Sequence, residues 1–135
     1  ALIERALDAT VIPLDDFFAA DIPDDRWDGF NVEEKLKHVF DWDRLRDQAI
    51  APLLEREPAH VVVIEGAYAA GPAPADLVDL SILVDVPVEQ RHRRLSRREN
   101  RGFLETWHGR WDPVEGTYFR DVRPKSSFDL IVRLD

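Results

Sequence analysis

His60-Val61-Val62-Val63-Ile64-Glu65-Gly66 places four consecutive branched apolar residues in front of an acid and a glycine. Alternation would mark a strand with one wet face, whereas an unbroken run suits a parallel strand covered on both faces. A second stretch, Thr10-Val11-Ile12-Pro13-Leu14-Asp15-Asp16-Phe17-Phe18, is also too short for a helix, rich in β-branched residues, and ends in carboxylates. In an open α/β sheet, ligands sit outside the carboxyl ends of the strands. If these two strands are parallel, Asp15 and Glu65 emerge at one edge. Two carboxylates there can hold Mg²⁺ through oxygen ligands, and one of them can take a proton from a nucleophile. Strand-end acids can equally cap the turn that follows, and residue types alone leave both readings open.

Outward from these strands, residues 80–86 (Leu-Ser-Ile-Leu-Val-Asp-Val, closed by Pro87) and 128–132 (Phe-Asp-Leu-Ile-Val) predict two more. Between the strands lie helical patterns. Asn31 is a candidate N-cap for a short helix over 32–39. Asp41-Trp42-Asp43-Arg44-Leu45 opens a stronger helix, with Leu45, Ile50, Leu53 and Leu54 as its apolar face and Pro52 as a kink or turn end. Residues 88–100 read as a basic helix, and 102–123 as a helical segment broken around 109–113. Residues 21–30 are polar and contain Pro23 and Gly29, a composition that suits a loop or lid. Residues 67–75, rich in small residues, glycine and proline, suit a loop. Residues 1–7 form helix readily but have no N-cap before them, so they look like the end of a helix that begins earlier. Strands alternating with helices predict an α/β domain, a parallel sheet with helices on both faces, spanning 1–135 as one unit.

At 135 residues the chain has the size of a single domain, and 44% apolar with 33% charged residues is ordinary for a globular protein. No apolar run approaches the roughly 20 residues of a membrane span, and no signal-peptide pattern is present, which makes the cytoplasm the default location. Cysteine is absent, and the four histidines (His38, His60, His92, His108) show no metal-ligand spacing. The formal charge of −9 argues against nucleic-acid backbone binding. Yet Arg91, Arg93, Arg94, Arg97, Arg98 and Arg101 crowd into one short stretch. An acidic protein with one arginine cluster suits a small polyanion such as a nucleotide. Oligomeric state is not readable from the sequence.

Leu14-Asp15-Asp16-Phe17-Phe18 resembles the Asp-x-Phe-Tyr segment of the uridine kinase branch of P-loop kinases, which includes phosphoribulokinase and pantothenate kinase relatives. The resemblance continues in order through Val-Phe-Asp-Trp-Asp-Arg-Leu at 39–45, Val-Val-Val-Ile-Glu-Gly-Ala-Tyr at 61–68 and Leu-Val-Asp-Val-Pro at 83–87. Arg91-x-x-Arg94 with Arg97-Arg98-Glu99, and Phe128-Asp129-Leu130-Ile131-Val132, complete it. It implies a P-loop NTPase-like fold and transfer of the ATP γ-phosphoryl group to a hydroxyl of a small molecule, a nucleoside such as uridine first. Asp15 then matches the catalytic base, and Glu65 the Mg²⁺-holding acid, with Asp15 also near the metal. Arg91, Arg94 and Arg98 match lid arginines that touch ATP phosphates. Asp16, Phe18, Trp27 and Tyr68 are the expected substrate-side residues. Positioning and charge neutralisation are what phosphoryl transfer asks of a protein.

The sequence departs from the family in three places. Its phosphate-cradling Gly-x-x-x-x-Gly-Lys-Ser/Thr loop, with the strand before it, is not among these 135 residues. Relatives carry a longer segment at 57–60, and Phe18 stands where they carry tyrosine. The expectation is therefore a longer protein of which these residues are a part. A non-catalytic nucleotide-binding relative, or a kinase for pantothenate, a sugar phosphate or nicotinamide riboside, are the alternatives.

Overall fold

A computed structural model describes residues 2–56 and 61–134, and the sequence reading of 57–60 lies outside them. Helix α1 (Leu2–Leu7) ends at Asp8, whose φ of 50° turns the chain into strand β1 (Thr10–Pro13). A 3₁₀ turn follows at Leu14–Phe17. Residues 21–30, expected as a loop, contain helix α2 (Asp24–Gly29) instead. Pro23 stands at its N-cap, and Asp24 and Asp25 fill its first turn, where carboxylates meet the positive end of the helix dipole. What stabilises so short a helix is Trp27, only 2% exposed.

Helix α3 (Val32–His38) starts as its sequence predicts. The Asn31 side chain accepts from the Glu34 backbone N–H, and the Glu34 carboxylate accepts from the Asn31 N–H, a complete capping box. Asp41 caps α4 (Trp42–Arg44), which runs through a π-helical stretch (Leu45–Ile50) into α5 (Ala51–Arg56). Pro52, which has no N–H, sits just past that stretch; the wider turns there change the hydrogen-bond register ahead of it. Leu45 and Ile50 are buried as expected, while Leu54 lies exposed.

Strand β2 (Val62–Glu65) pairs parallel with β1, and β3 (Ile82–Asp85) pairs parallel with β4 (Leu130–Arg133). The single parallel sheet expected from the sequence is replaced here by two separate two-stranded parallel sheets. In the second pair Ile82 and Val84 stand opposite Leu130 and Val132, and all four are exposed. Between β3 and β4 come α6 (Val88–Ser96) and α7 (Arg101–Thr117), the latter continuing into a π-helical end (Tyr118–Val122). The break expected at 109–113 does not occur. Pro113 lies inside α7 on an exposed stretch, where water can serve the carbonyl of Gly109 that lost its donor.

The core gathers Ile12 and Leu14 from the first sheet side, Trp27, Val39, Phe40, Leu45, Ile50, and Trp111 and Val114 from α7. Full burial of side chains this size contributes about 1.5–3 kcal/mol each. Arg110 ties α7 to α2 as well, donating through Nη1 to Asp24 and through Nε to Asp28, both at 2.9 Å. No described helix is long and apolar enough to cross a membrane.

Candidate functional site

The register Pro13↔Glu65 brings the ends of β1 and β2 level. Beyond β1, Leu14 is fully buried and anchors the 3₁₀ turn, so the next two residues, Asp15 and Asp16, project where they are exposed. Glu65 is exposed at the end of β2. Asp15 and Glu65 therefore leave the same sheet edge, as the parallel arrangement requires.

Behind β2 the backbone is strained. Gly66 has φ 140° and Tyr68 φ 62°, two left-handed values within three residues. A Cβ on Gly66 would stand 2.9 Å from the Cβ of Leu14, so glycine is what allows the Glu65 turn to lie against the Asp15 turn. Non-glycine residues in this region cost free energy and concentrate at ligand-handling sites.

The acid turn is held from the other side by α4. Arg44 donates through Nη2 to the Asp16 carbonyl at 2.7 Å, and its guanidinium lies 4.9 Å from the centre of the Phe17 ring. Phe18 is 36% exposed and stacks on Trp27 with ring centres 5.9 Å apart. Trp27, expected on the substrate side, is instead a core residue wedged among Phe18, Phe30 and Trp111. Exposed to only 2%, it supports Phe18 and offers no surface to a solute.

Tyr68 lies half-buried against Tyr118, ring centres 5.0 Å apart. Burial raises its phenol well above the usual tyrosine range, and the negative charges of Glu115 and Asp112 raise it further while Arg91 opposes them. Tyr68 thus sits in the field of the α6–α7 junction, where Arg91 donates through Nη1 to Glu115 at 2.6 Å. Burial likewise pushes the Tyr118 phenol up to about 12, and its hydroxyl has no partner among the described residues.

Of the three arginines matched to a lid, Arg91 is turned inward to Glu115. Arg94 and Arg98 are exposed and make no ion pair among the described residues, with Arg93 and Arg97 in the same state. Four uncommitted guanidinium groups leave the end of α6 and the turn after it able to meet a polyanion.

No known family model, curated protein or solved structure matches this chain.

One grouping escaped the sequence reading. His92 on α6 and His108 and Asp112 on α7 bring their donor atoms within 4.8 Å of one another. His108-x-x-x-Asp112 is a one-turn helical spacing, a signal that the histidine spacings taken by themselves do not carry. His92 comes from a different helix, so no spacing in the sequence could have shown it.

A hollow lined by Ala70, Gly71, Ala75, Val78, Ser81, Arg123 and Asp129 lies at the start of the second sheet, apart from both carboxylates. Most of its polar groups serve each other: Ser81 donates from N and Oγ to Asp129 at 2.7 and 2.6 Å, and Arg123 donates to Ser81 Oγ at 2.8 Å, while Arg123 Nε is buried without a partner among the described residues.

Proposed function

We propose that this chain is the acceptor-and-lid part of an ATP-dependent small-molecule kinase of the uridine kinase type. The observation that carries the reading is the register Pro13↔Glu65, which puts Asp15 and Glu65 at one sheet edge. Asp15 takes the proton from the attacking hydroxyl, and Glu65 holds Mg²⁺ through oxygen, the ligand type this cation prefers. Arg94 on α6 and Arg98 in the turn just after it, both uncommitted, meet the ATP phosphates, and Arg91 joins them on exchanging Glu115 for phosphate. The exposed face of Phe18 suits stacking of an acceptor's ring or base, which favours a nucleoside. Asp16 orients the turn through its backbone, and Tyr68 closes the site from behind Glu65.

The reading requires a phosphate-binding loop that these 135 residues do not contain, so the test belongs to a protein that carries one. In that protein Asp15→Asn is expected to abolish nucleoside phosphorylation while ATP binding stays within about twofold of wild type. Unchanged turnover in Asp15→Asn removes the base assignment.

A further inference from the structure

We propose that His92, His108 and Asp112 form a binding site for a divalent transition-metal ion of the Zn²⁺ type, clamping α6 to α7. The donor set is two imidazoles and one carboxylate. Asp112 turns one oxygen to each histidine: Oδ1 lies 3.1 Å from His108 Nδ1, and Oδ2 lies 3.8 Å from His92 Nε2. The two rings stand 4.0 Å apart, centre to centre, inclined at 45°.

Geometry favours a small tetrahedral ion. Bonds of roughly 2.0–2.1 Å place neighbouring ligand atoms of a tetrahedral Zn²⁺ about 3.3 Å apart. The spacings of 3.1 and 3.8 Å, each to a different oxygen of Asp112, lie near that value, and one donor atom from each residue lies within 4.8 Å of the others, so side-chain rotation brings a single carboxylate oxygen and both imidazoles to bonding distance of one ion. Rotation is available, because the side chains of His92 and Asp112 are 43% and 50% exposed. His108 and Asp112 lie one turn apart on α7, which fixes half the site before any metal arrives.

Chemistry selects the ion. Imidazole suits Zn²⁺, Cu²⁺ and Ni²⁺, whereas Mg²⁺ and Ca²⁺ take oxygen ligands, so this site is distinct in kind from the Asp15–Glu65 pair. Three protein ligands leave one position for water.

The consequence falls on α6. Arg91, beside His92, already reaches α7 through Glu115. A metal bridge adds a second tie one residue along and limits how far α6, with Arg94 on it and Arg98 just past its end, can swing. None of the three ligands belongs to the phosphoryl-transfer site, so the metal site stands or falls separately from the kinase reading.

The test is Zn²⁺ titration of the untagged protein by calorimetry, with Co²⁺ absorption as a second probe. Expected are one Zn²⁺ per chain and intense visible Co²⁺ bands, the sign of tetrahedral coordination. His92→Ala and Asp112→Asn should each weaken binding at least about 10-fold, since each removes a ligand. His38→Ala, which alters a histidine elsewhere, should leave it unchanged. Circular dichroism of each variant separates ligand loss from unfolding. No Zn²⁺ binding by the wild type, or equal binding by the His92→Ala variant, overturns the site and leaves a plain histidine–aspartate ion-pair cluster.

Discussion

Gly66 approaches Leu14 so closely that a Cβ on the glycine would lie 2.9 Å from the Cβ of the leucine. That contact sets the Glu65 turn against the Asp15 turn, and Leu14 cannot yield because it is fully buried. Gly66→Ala also forces an L-residue to φ 140°. The backbone strain alone costs about 1–3 kcal/mol. Urea unfolding should show a lowered midpoint with an unchanged slope; a midpoint equal to wild type would mean the two turns are not in contact.

Trp27 joins α2 to the core through Phe18, Phe30 and Trp111. Trp27→Ala should cost about 3–5 kcal/mol, a large fraction of the stability of an ordinary domain. Phe18→Ala, at a partly exposed ring, should cost much less. Equal losses for the two, measured by denaturant unfolding, would contradict the placement of Trp27 in the core and Phe18 at the surface.

Asp129 is held below its ordinary pKa of 3.8, first by the hydrogen bond from the Ser81 hydroxyl and then by the Ser81 backbone N–H. A depressed carboxyl stabilises the fold most fully above its unfolded value, and the contribution disappears as pH falls through the folded value. The window is therefore below about pH 4. In NMR titration Asp129 should move up toward 3.8 in Ser81→Ala. A titration midpoint unchanged by that substitution would separate the shift from Ser81.

Glu65→Gln bears on the kinase reading. In a protein with its phosphate-binding loop, it should lower turnover by about 10²-fold or more and raise the Mg²⁺ concentration needed. ATP binding without Mg²⁺ should be little changed. A variant with wild-type Mg²⁺ dependence would take the metal role away from Glu65.

Much of this was legible locally. The unbroken run at 61–64 and the β-branched run at 10–12 marked two parallel strands, and their strand-end acids followed at the same edge. Asn31 was readable as a cap because a cap needs only its own turn, whereas Asp41 showed only as part of an acid-rich helix opening. The helix at Asp24–Gly29 was not readable. Its polar sequence buries one residue, Trp27, against partners far along the chain. Continuity of α7 through Pro113 was likewise hidden, since the exposure that makes a lost hydrogen bond tolerable is not written in the residue itself.

What the sequence by itself determined is the set of elements whose causes are local: strand runs, caps, and the acids that end the strands. The tertiary structure alone decided which distant groups meet. It set Gly66 against Leu14, drew Trp27 inward, kept the two strand pairs as separate sheets, and brought His92 to His108 and Asp112. The reason is range: propensities and caps act over a few residues, whereas burial, strand pairing and ligand clusters depend on chain segments far apart in sequence.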